Sequence, residues 1–401
     1  MNICFITRSM PFGKFEAFVI PEIRYAMQAG HRVTVVPLRA EGAIIHQDGA
    51  EMLKNTVNKP LLSIEIIGAA IMETIKQPIK VFKLLQKIFH SRNTTILLQN
   101  LAVFPKALWL ARHFRSTTVP DHIHAYWIST AATIAMVVAA ILQIPWSVTA
   151  HRGDIAMNNL IAEKVSDSRF VRCINENGAT EIKEITGKTD KVQVLHLGVE
   201  IREETPQRKR LRQADGTFRV LMPANFSPVK GHVYLIQAMQ LLCQQGVNIQ
   251  LDLAGEGELR QIIQQQVVDY KLASHISFLG EISHASLLSK LWEGQWDCVA
   301  LPSIVTADGA KEGIPVSLME AMAAGIPVVS TRTGGIPELC GNETAVLVKE
   351  KDPQALAEAL LIVMNDQERV LRMIVSAGSR VQDGFNVNAI GPRLLQMMKT
   401  S

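Results

Sequence analysis

Short apolar runs alternate along this chain with longer stretches of helical spacing, and glycine, proline or charged residues stand between them. Asn2–Thr7 reads as a buried strand. A helix is predicted from near Phe15 to Gly30, where QAGHRVTVVP supplies helix stop, turn and second strand. Further strands are predicted at 122–127, 146–150, 170–175 and 192–199, then at 218–224, 249–257, 276–280, 296–303 and 326–330. Strand, loop, helix and strand in this rhythm predict an α/β protein built on parallel sheets. Ligands of such sheets sit at the C-terminal ends of the strands, so the loop Arg8–Lys14, with Gly13, is a candidate wall of a cleft. The apolar run Ala131–Ile144 is interrupted by Gln143 and bounded by Pro145. It reads as a buried helix too short to span a bilayer.

The pattern breaks at Arg202–Gly216 (REETPQRKRLRQADG), which is polar and has no apolar period. This divides the chain into a domain over 1–202, a domain over 203–385 and a last helix within 386–401. A length of 401 residues suits two domains, and 48% hydrophobic residues suffice for two cores. A charged fraction of 19% excludes disorder over most of the length, and a net charge of +4 does not call for nucleic acid. Cys4, Cys173, Cys243, Cys298 and Cys340 are scattered and mostly apolar in context. They read as reduced core residues of a cytosolic protein, not as a disulfide frame or metal site. Met1–Thr7 lacks the basic start and the length of a signal peptide. Within 41–120 the informative segment is KQPIKVFKLLQKIFHSR (76–92). Its basic amphipathic pattern fits a helix on an anionic membrane surface, or a surface helix packed on the sheet.

The densest chemistry lies in Glu312–Glu338, EGIPVSLMEAMAAGIPVVSTRTGGIPE. Pro315 suits the first turn of a helix. Leu318, Met319, Met322 and Ala323 mark its buried face, and Gly325 fits the position just past its end. Ile326–Ser330 is a short strand, and Pro337 opens a second helix. Glu312 then lies on the loop before the helix and Glu320 about a turn and a half into it. Free N–H groups at a helix start suit phosphate, and carboxylates beside them can accept from ligand hydroxyls. The alternative is a solvated loop acid and an exposed helix acid.

Glu312-Gly313-Ile314-Pro315, Glu320 seven residues further on, and Gly334-Gly335-Ile336-Pro337-Glu338 resemble the nucleotide-sugar site of the family 4 retaining glycosyltransferases. The resemblance implies the GT-B fold, two Rossmann-like parallel-sheet domains facing a deep cleft. It implies that Glu312 meets hydroxyls of the donor sugar and Glu320 the ribose of the nucleotide. Asn225-Phe226-Ser227-Pro228-Val229-Lys230-Gly231 stands where relatives have an Arg and a Lys on the diphosphate. Lys230 matches, and Asn225 replaces the Arg, which removes a bidentate phosphate contact. Gly255 and Gly257 end a strand where relatives place a loop beside the nucleotide.

FEAFVIPEI (15–23) and HIHAYW (122–127) with IPWSVTAHRGD (144–154) resemble the exopolysaccharide and colanic-acid branch of the family. Glu16, Phe18 and Glu22 keep the frame of the first segment, whose other reading is an amphipathic helix with exposed acids. Relatives carry a His at the place of His151, near the donor sugar. Asp154 either caps the following helix or faces the acceptor.

The resemblance therefore implies transfer of a sugar from a nucleotide diphosphate sugar to a glycan or polyprenyl-linked acceptor, in exopolysaccharide or other cell-surface polysaccharide biosynthesis. The expected place is the cytoplasm, at the inner face of the membrane, with a peripheral membrane contact. No cofactor and no metal are expected, because Lys230 and the backbone N–H groups near Gly313 to Pro315 would take the charge of the leaving diphosphate. Two alternatives stand beside this reading: a binding subunit with little activity, for which Asn225 argues, and a nucleotide-sugar epimerase of the same fold.

Overall fold

The computed structural model describes residues 1–13, 16–39, 47–202 and 216–399, so the RKRLR run, Lys14 and Phe15 lie outside the described residues. The chain divides into two compact units, Met1–Gly198 with Ile390–Ser401, and Val199–Ala389. The first division falls four residues before the polar stretch marks it. Val199 donates its N–H to Phe385 O and accepts from Val387 N, which ties the residues after Gly198 to the second unit.

Each unit is built on one six-stranded sheet. The first contains β1 (Asn2–Thr7), β2 (Arg32–Pro37), β3 (His122–Ala125), β4 (Trp146–Ala150), β5 (Val171–Cys173) and β6 (Val192–Val194), in the order β2-β1-β3-β4-β5-β6. The second contains β7 (Phe218–Pro223), β8 (Ile249–Ala254), β9 (Ile276–Gly280), β10 (Cys298–Leu301), β11 (Val328–Thr331) and β12 (Val346–Val348), in the order β12-β11-β10-β7-β8-β9. Every strand pairing is parallel. Parallel strands need both faces covered, and the strands accordingly read as near-continuous apolar runs with helices between them. Only β12, three residues long, escapes a reading by pattern. The other strands fall where expected, most with ends trimmed where the chain leaves the ladder, and β11 shifted to Val328–Thr331.

In each sheet the strand order reverses once. The reversal lies between β1 and β3 in the first and between β7 and β10 in the second. The loops at the C-terminal ends of those strand pairs are where open α/β sheets hold ligands. Helix Thr130–Leu142 is the buried helix expected for the apolar run. Helix Thr94–Ser116 packs on it, and helix Ile64–Lys76 packs on Thr94–Ser116 as an outer layer. Ser63 and Asn93 cap these last two by accepting from Ile66 N and Ile96 N. In the last helix, Val387–Lys399, the side chains of Ile390, Leu394, Leu395 and Met398 are buried with Ile3, Phe5 and Ile23.

The helix expected from Phe15 differs. Among described residues a 3-10 turn covers Ala17–Val19 and the α-helix runs Ile20–Gln28, with Pro21 in its first turn. Glu16 and Glu22 are not exposed acids; both are buried. Their carboxylates hold the loops at the end of β1 and the strands beside it.

Candidate active site

In the second unit the site grows from the reversal between β7 and β10. After β7 the chain makes a short 3-10 turn, Pro228–Lys230, and then helix His232–Gln244. Gly231 sits at φ 73°, and a Cβ there would lie 2.0 Å from Pro302 O. Only glycine permits the two loops to approach so closely. That approach brings Lys230 against the loop after β10. Lys230 Nζ donates to Glu312 Oε2 at 2.5 Å, and Ser303 Oγ lies 3.4 Å from the same oxygen. Both side chains keep partial access to water, 18% for Lys230 and 15% for Glu312.

Glu312 itself is fixed from behind. Gly334, at φ 57°, packs where a Cβ would meet Glu312 O at 2.0 Å, and Gly335 N donates to the carbonyls of Glu312 and Gly313. The Gly-Gly after β11 thus works as a backbone clamp on the Glu312 loop. Thr331 Oγ1 and Thr333 Oγ1 both donate to Ser303 O, which holds the other end of that loop.

Pro315 then opens helix Val316–Ala323, with Gly313 and Ile314 just ahead of it. Every residue from Leu318 to Ala323 is buried, so the helix is enclosed rather than half-solvated. Glu320 is therefore not an exposed helix acid. Its Oε1 is paired with His284 Nε2 at 2.6 Å. His284 starts the helix His284–Trp292, 36 positions away, and no local pattern signals the pairing.

The remaining residues expected beside the nucleotide are close by in the same unit. Asn225 follows β7; its carbonyl accepts from Ser227 N, and its Oδ1 accepts from Ser227 Oγ at 3.5 Å. Gly255 and Gly257 follow β8 and run alongside 224–226, with Phe226 N donating to Glu256 O between them. His232 stacks on Phe226 at 4.5 Å, and burial with the charge of Lys230 pushes it down to about 4. Asp308 is an exposed loop acid that accepts from Thr306 Oγ1.

In the first unit a second cluster forms at the reversal between β1 and β3. Glu16 Oε1 accepts from Arg8 N and Trp127 Nε1, and Oε2 from Ser9 N, Ser9 Oγ and Met10 N. Glu16, which with Gly13 and Asp154 is a candidate acceptor or cleft residue by sequence, uses its carboxylate to stitch the loop after β1 to the loop after β3. Gly13, at φ 78°, sits against Ser9 in the same loop. His151, at the end of β4, lies between Trp127 and Phe18, with ring centroids 4.4 and 5.1 Å away. Burial, and secondly Arg172, push its imidazole down to about 3, so the ring is neutral, and its Nε2 is buried with no hydrogen-bond partner among the described residues. Asp154 takes the first of its two expected roles. Its oxygens accept from His151 N at 2.8 Å and Ile128 N at 2.6 Å at the start of a short helix. Burial pushes its carboxyl up to about 7, against the pull of those N–H groups and of Lys164. Glu22 pairs with Arg172 through both guanidinium ends, and Tyr126 and Gly198 donate to it as well.

Comparison with known proteins matches residues 203–380 to the family of glycosyl transferases group 1. The amylovoran biosynthesis glycosyltransferase AmsK of Erwinia amylovora is 33% identical over 52% of this chain and 51% of its own length. The putative colanic acid biosynthesis glycosyltransferase WcaL of Salmonella typhimurium is 32% identical over 57% of this chain and 55% of its own. The chain spans about half the length of these curated relatives. Among solved structures, HepE of Anabaena in complex with UDP superposes with a TM-score of 0.73 at 18% identity, covering 99% of both chains. Sucrose-phosphate synthase of Thermosynechococcus elongatus gives 0.73 at 17% over 99% and 98%. Two parallel six-stranded sheets with these neighbours are the GT-B fold, and within it residues 203–380 match the model of the glycosyl transferases group 1.

Proposed function

We propose that this chain is a metal-independent, retaining glycosyltransferase that moves a sugar from a nucleotide diphosphate sugar to a glycan acceptor, free or carried on a polyprenyl lipid, in exopolysaccharide assembly, with a peripheral contact to the membrane. The observation that carries this reading is the Lys230–Glu312 pair at the β7/β10 reversal, directly before a helix start. A cation, a carboxylate and free N–H groups converge there, which suits a ligand with both phosphate and hydroxyls.

In this reading the bond between the anomeric carbon and the diphosphate oxygen breaks, and the electron pair leaves with the diphosphate. Lys230 and the N–H groups of Gly313, Ile314 and Val316 stabilise that charge. Glu312 accepts from sugar hydroxyls and Glu320, held by His284, from the ribose. The acceptor oxygen joins the anomeric carbon on the face the diphosphate leaves, and its proton passes to the departing oxygen. The resemblance implies that His151 lies near the donor sugar, and it enters as a neutral ring. AmsK and WcaL, by their names, serve amylovoran and colanic acid synthesis, which supports the exopolysaccharide part of the reading.

The test is a thermal-shift series with UDP, GDP and ADP, followed by release of nucleotide from the matching sugar donor in the presence of EDTA. One nucleotide should raise the melting temperature, Lys230→Ala and Glu320→Ala should abolish the rise, and turnover should survive EDTA. No shift with any nucleotide sinks the reading. Loss of turnover in EDTA, or an inverted anomer in the product by NMR, removes its metal-independent or retaining part. His151→Ala is expected to lower turnover while leaving the nucleotide shift in place.

A further inference from the structure

The first unit carries an apolar face that nothing among the described residues covers. Helix Ile64–Lys76 buries Ile66 and Glu73 on one side. On the other side Ile64, Ile67, Ile71 and Ile75 recur at intervals of three and four and form a single outward stripe. They are 93%, 47%, 55% and 71% exposed, and Met72 beside them is 53% exposed. After Gln77 the chain enters helix Pro78–Phe89, which touches the first helix and buries Val81, Leu84 and Ile88. Ile79, Phe82 and Phe89 point outward instead, each more than 60% exposed. Scattered exposed apolar residues need no explanation, but a run of this size on two consecutive helices does.

The charge around the face that is not paired within the described residues has one sign. Lys76, Lys80 and Lys83 belong to the same two helices and have no acidic partner among the described residues, while the acids of the segment are already engaged. Glu65 accepts from Lys59 and Trp109, and Glu73 is buried against Arg115 and Gln77. Apolar side chains bordered by free lysines complement an anionic lipid surface, with acyl chains meeting the isoleucines and head groups the ammonium groups. Helices of 13 and 12 residues are too short to cross the ~30 Å hydrocarbon core, so they lie along its surface.

We propose that the outer face of helices Ile64–Lys76 and Pro78–Phe89 is the surface by which this protein docks on a bilayer containing anionic lipid. This deepens the peripheral contact proposed above by naming the side chains that enter the bilayer and the lipid charge they read. It does not depend on the chemistry of transfer.

The test is co-sedimentation of the full chain with vesicles of phosphatidylcholine containing phosphatidylglycerol, and with phosphatidylcholine alone. The protein should pellet with the first, weakly with the second, and less as salt is raised. Replacing Lys76, Lys80 and Lys83 by Gln should weaken partition roughly a hundredfold. Replacing Ile71, Ile75 and Phe82 by Ser should weaken it at least about tenfold, with the melting temperature used to confirm that each variant folds. Equal partition of wild type and both variants, or no pelleting of wild type, overturns the proposal. So does a dimer in sedimentation equilibrium that the Ser variant dissociates and that binds no vesicles, because the face then belongs to a second copy. The nucleotide shift is read in parallel. Vesicle binding without any nucleotide shift would sink the transfer reading and leave the docking surface standing, and the converse result would do the opposite.

Discussion

The two strand-order reversals of this chain hold the same kinds of residue and use them in opposite ways. At the β1/β3 reversal Glu16 is buried and accepts from five protein donors. Nearby, Glu22 is fully enclosed with Arg172. At the β7/β10 reversal Glu312 meets a single lysine, and both partners keep access to water. A carboxylate saturated by fixed protein donors is part of the scaffold, and removing it strands the donors. A carboxylate facing one flexible cation can exchange that partner for a ligand. Position in the fold marks both places as sites, and only the hydrogen-bond inventory separates framework from chemistry.

That contrast can be broken by measurement. Glu22→Ala should cost the most, about 3–5 kcal/mol in urea unfolding, because it leaves Arg172 charged and buried. Glu16→Ala should follow at about 3 kcal/mol, since it strands the N–H groups of Arg8, Ser9 and Met10 together. Lys230→Ala should change stability by about 1 kcal/mol or less yet remove the nucleotide-induced shift. A destabilisation as large as that of Glu22→Ala would erase the distinction between the two reversals.

Acid should act mainly on the first unit. His122 and His151 are each pushed down to about 3 by burial, and His124 is pushed well down by the same cause. Below the ordinary value of 6.5 the unfolded chain binds protons that the folded chain refuses, so stability falls as pH drops from 6.5 towards 3. Asp154, raised to about 7, runs the other way: the folded chain holds its proton, and stability falls as pH rises from 3.8 to 7. The two slopes partly cancel in the wild type. His122→Gln should flatten the acid limb by up to about 1.4 kcal/mol per pH unit, measured by urea unfolding between pH 6 and 4. An unchanged slope would mean that His122 does not carry it.

The smallest expected effect sharpens the second reversal. Asn225 stands beside the Lys230 turn, at the place where the family resemblance implies an arginine. Asn225→Arg should tighten nucleotide binding about tenfold by adding a paired phosphate contact. Unchanged or weaker affinity by calorimetry would show that the loop has been rebuilt around the asparagine.

The candidate site was legible in unequal parts. Lys230, Glu312 and the glycines after β11 lie in segments where strand end, turn and helix start follow one another directly. Local pattern therefore places them at the same edge of the sheet. The partner of Glu320 was not legible, because His284 comes from a helix start 36 residues upstream and ordinary sequence surrounds it. Glu16 and Glu22 were misleading for a related reason. Their spacing fits a helix with acids on its wet face, but long-range donors, Trp127 in one case and Arg172 in the other, draw them inward.

Local pattern set the alternation of strand and helix, from which the parallel sheets and the loops at their strand ends follow. Tertiary structure decided which polar groups are spent on each other and which apolar faces stay uncovered. The isoleucines of helix Ile64–Lys76 illustrate the limit. Apolar residues lie on more than one of its sides, and periodicity cannot say which side a neighbour will cover. Helix Thr94–Ser116 covers one and leaves the other to solvent, because burial is settled by what packs against a surface and not by the surface alone.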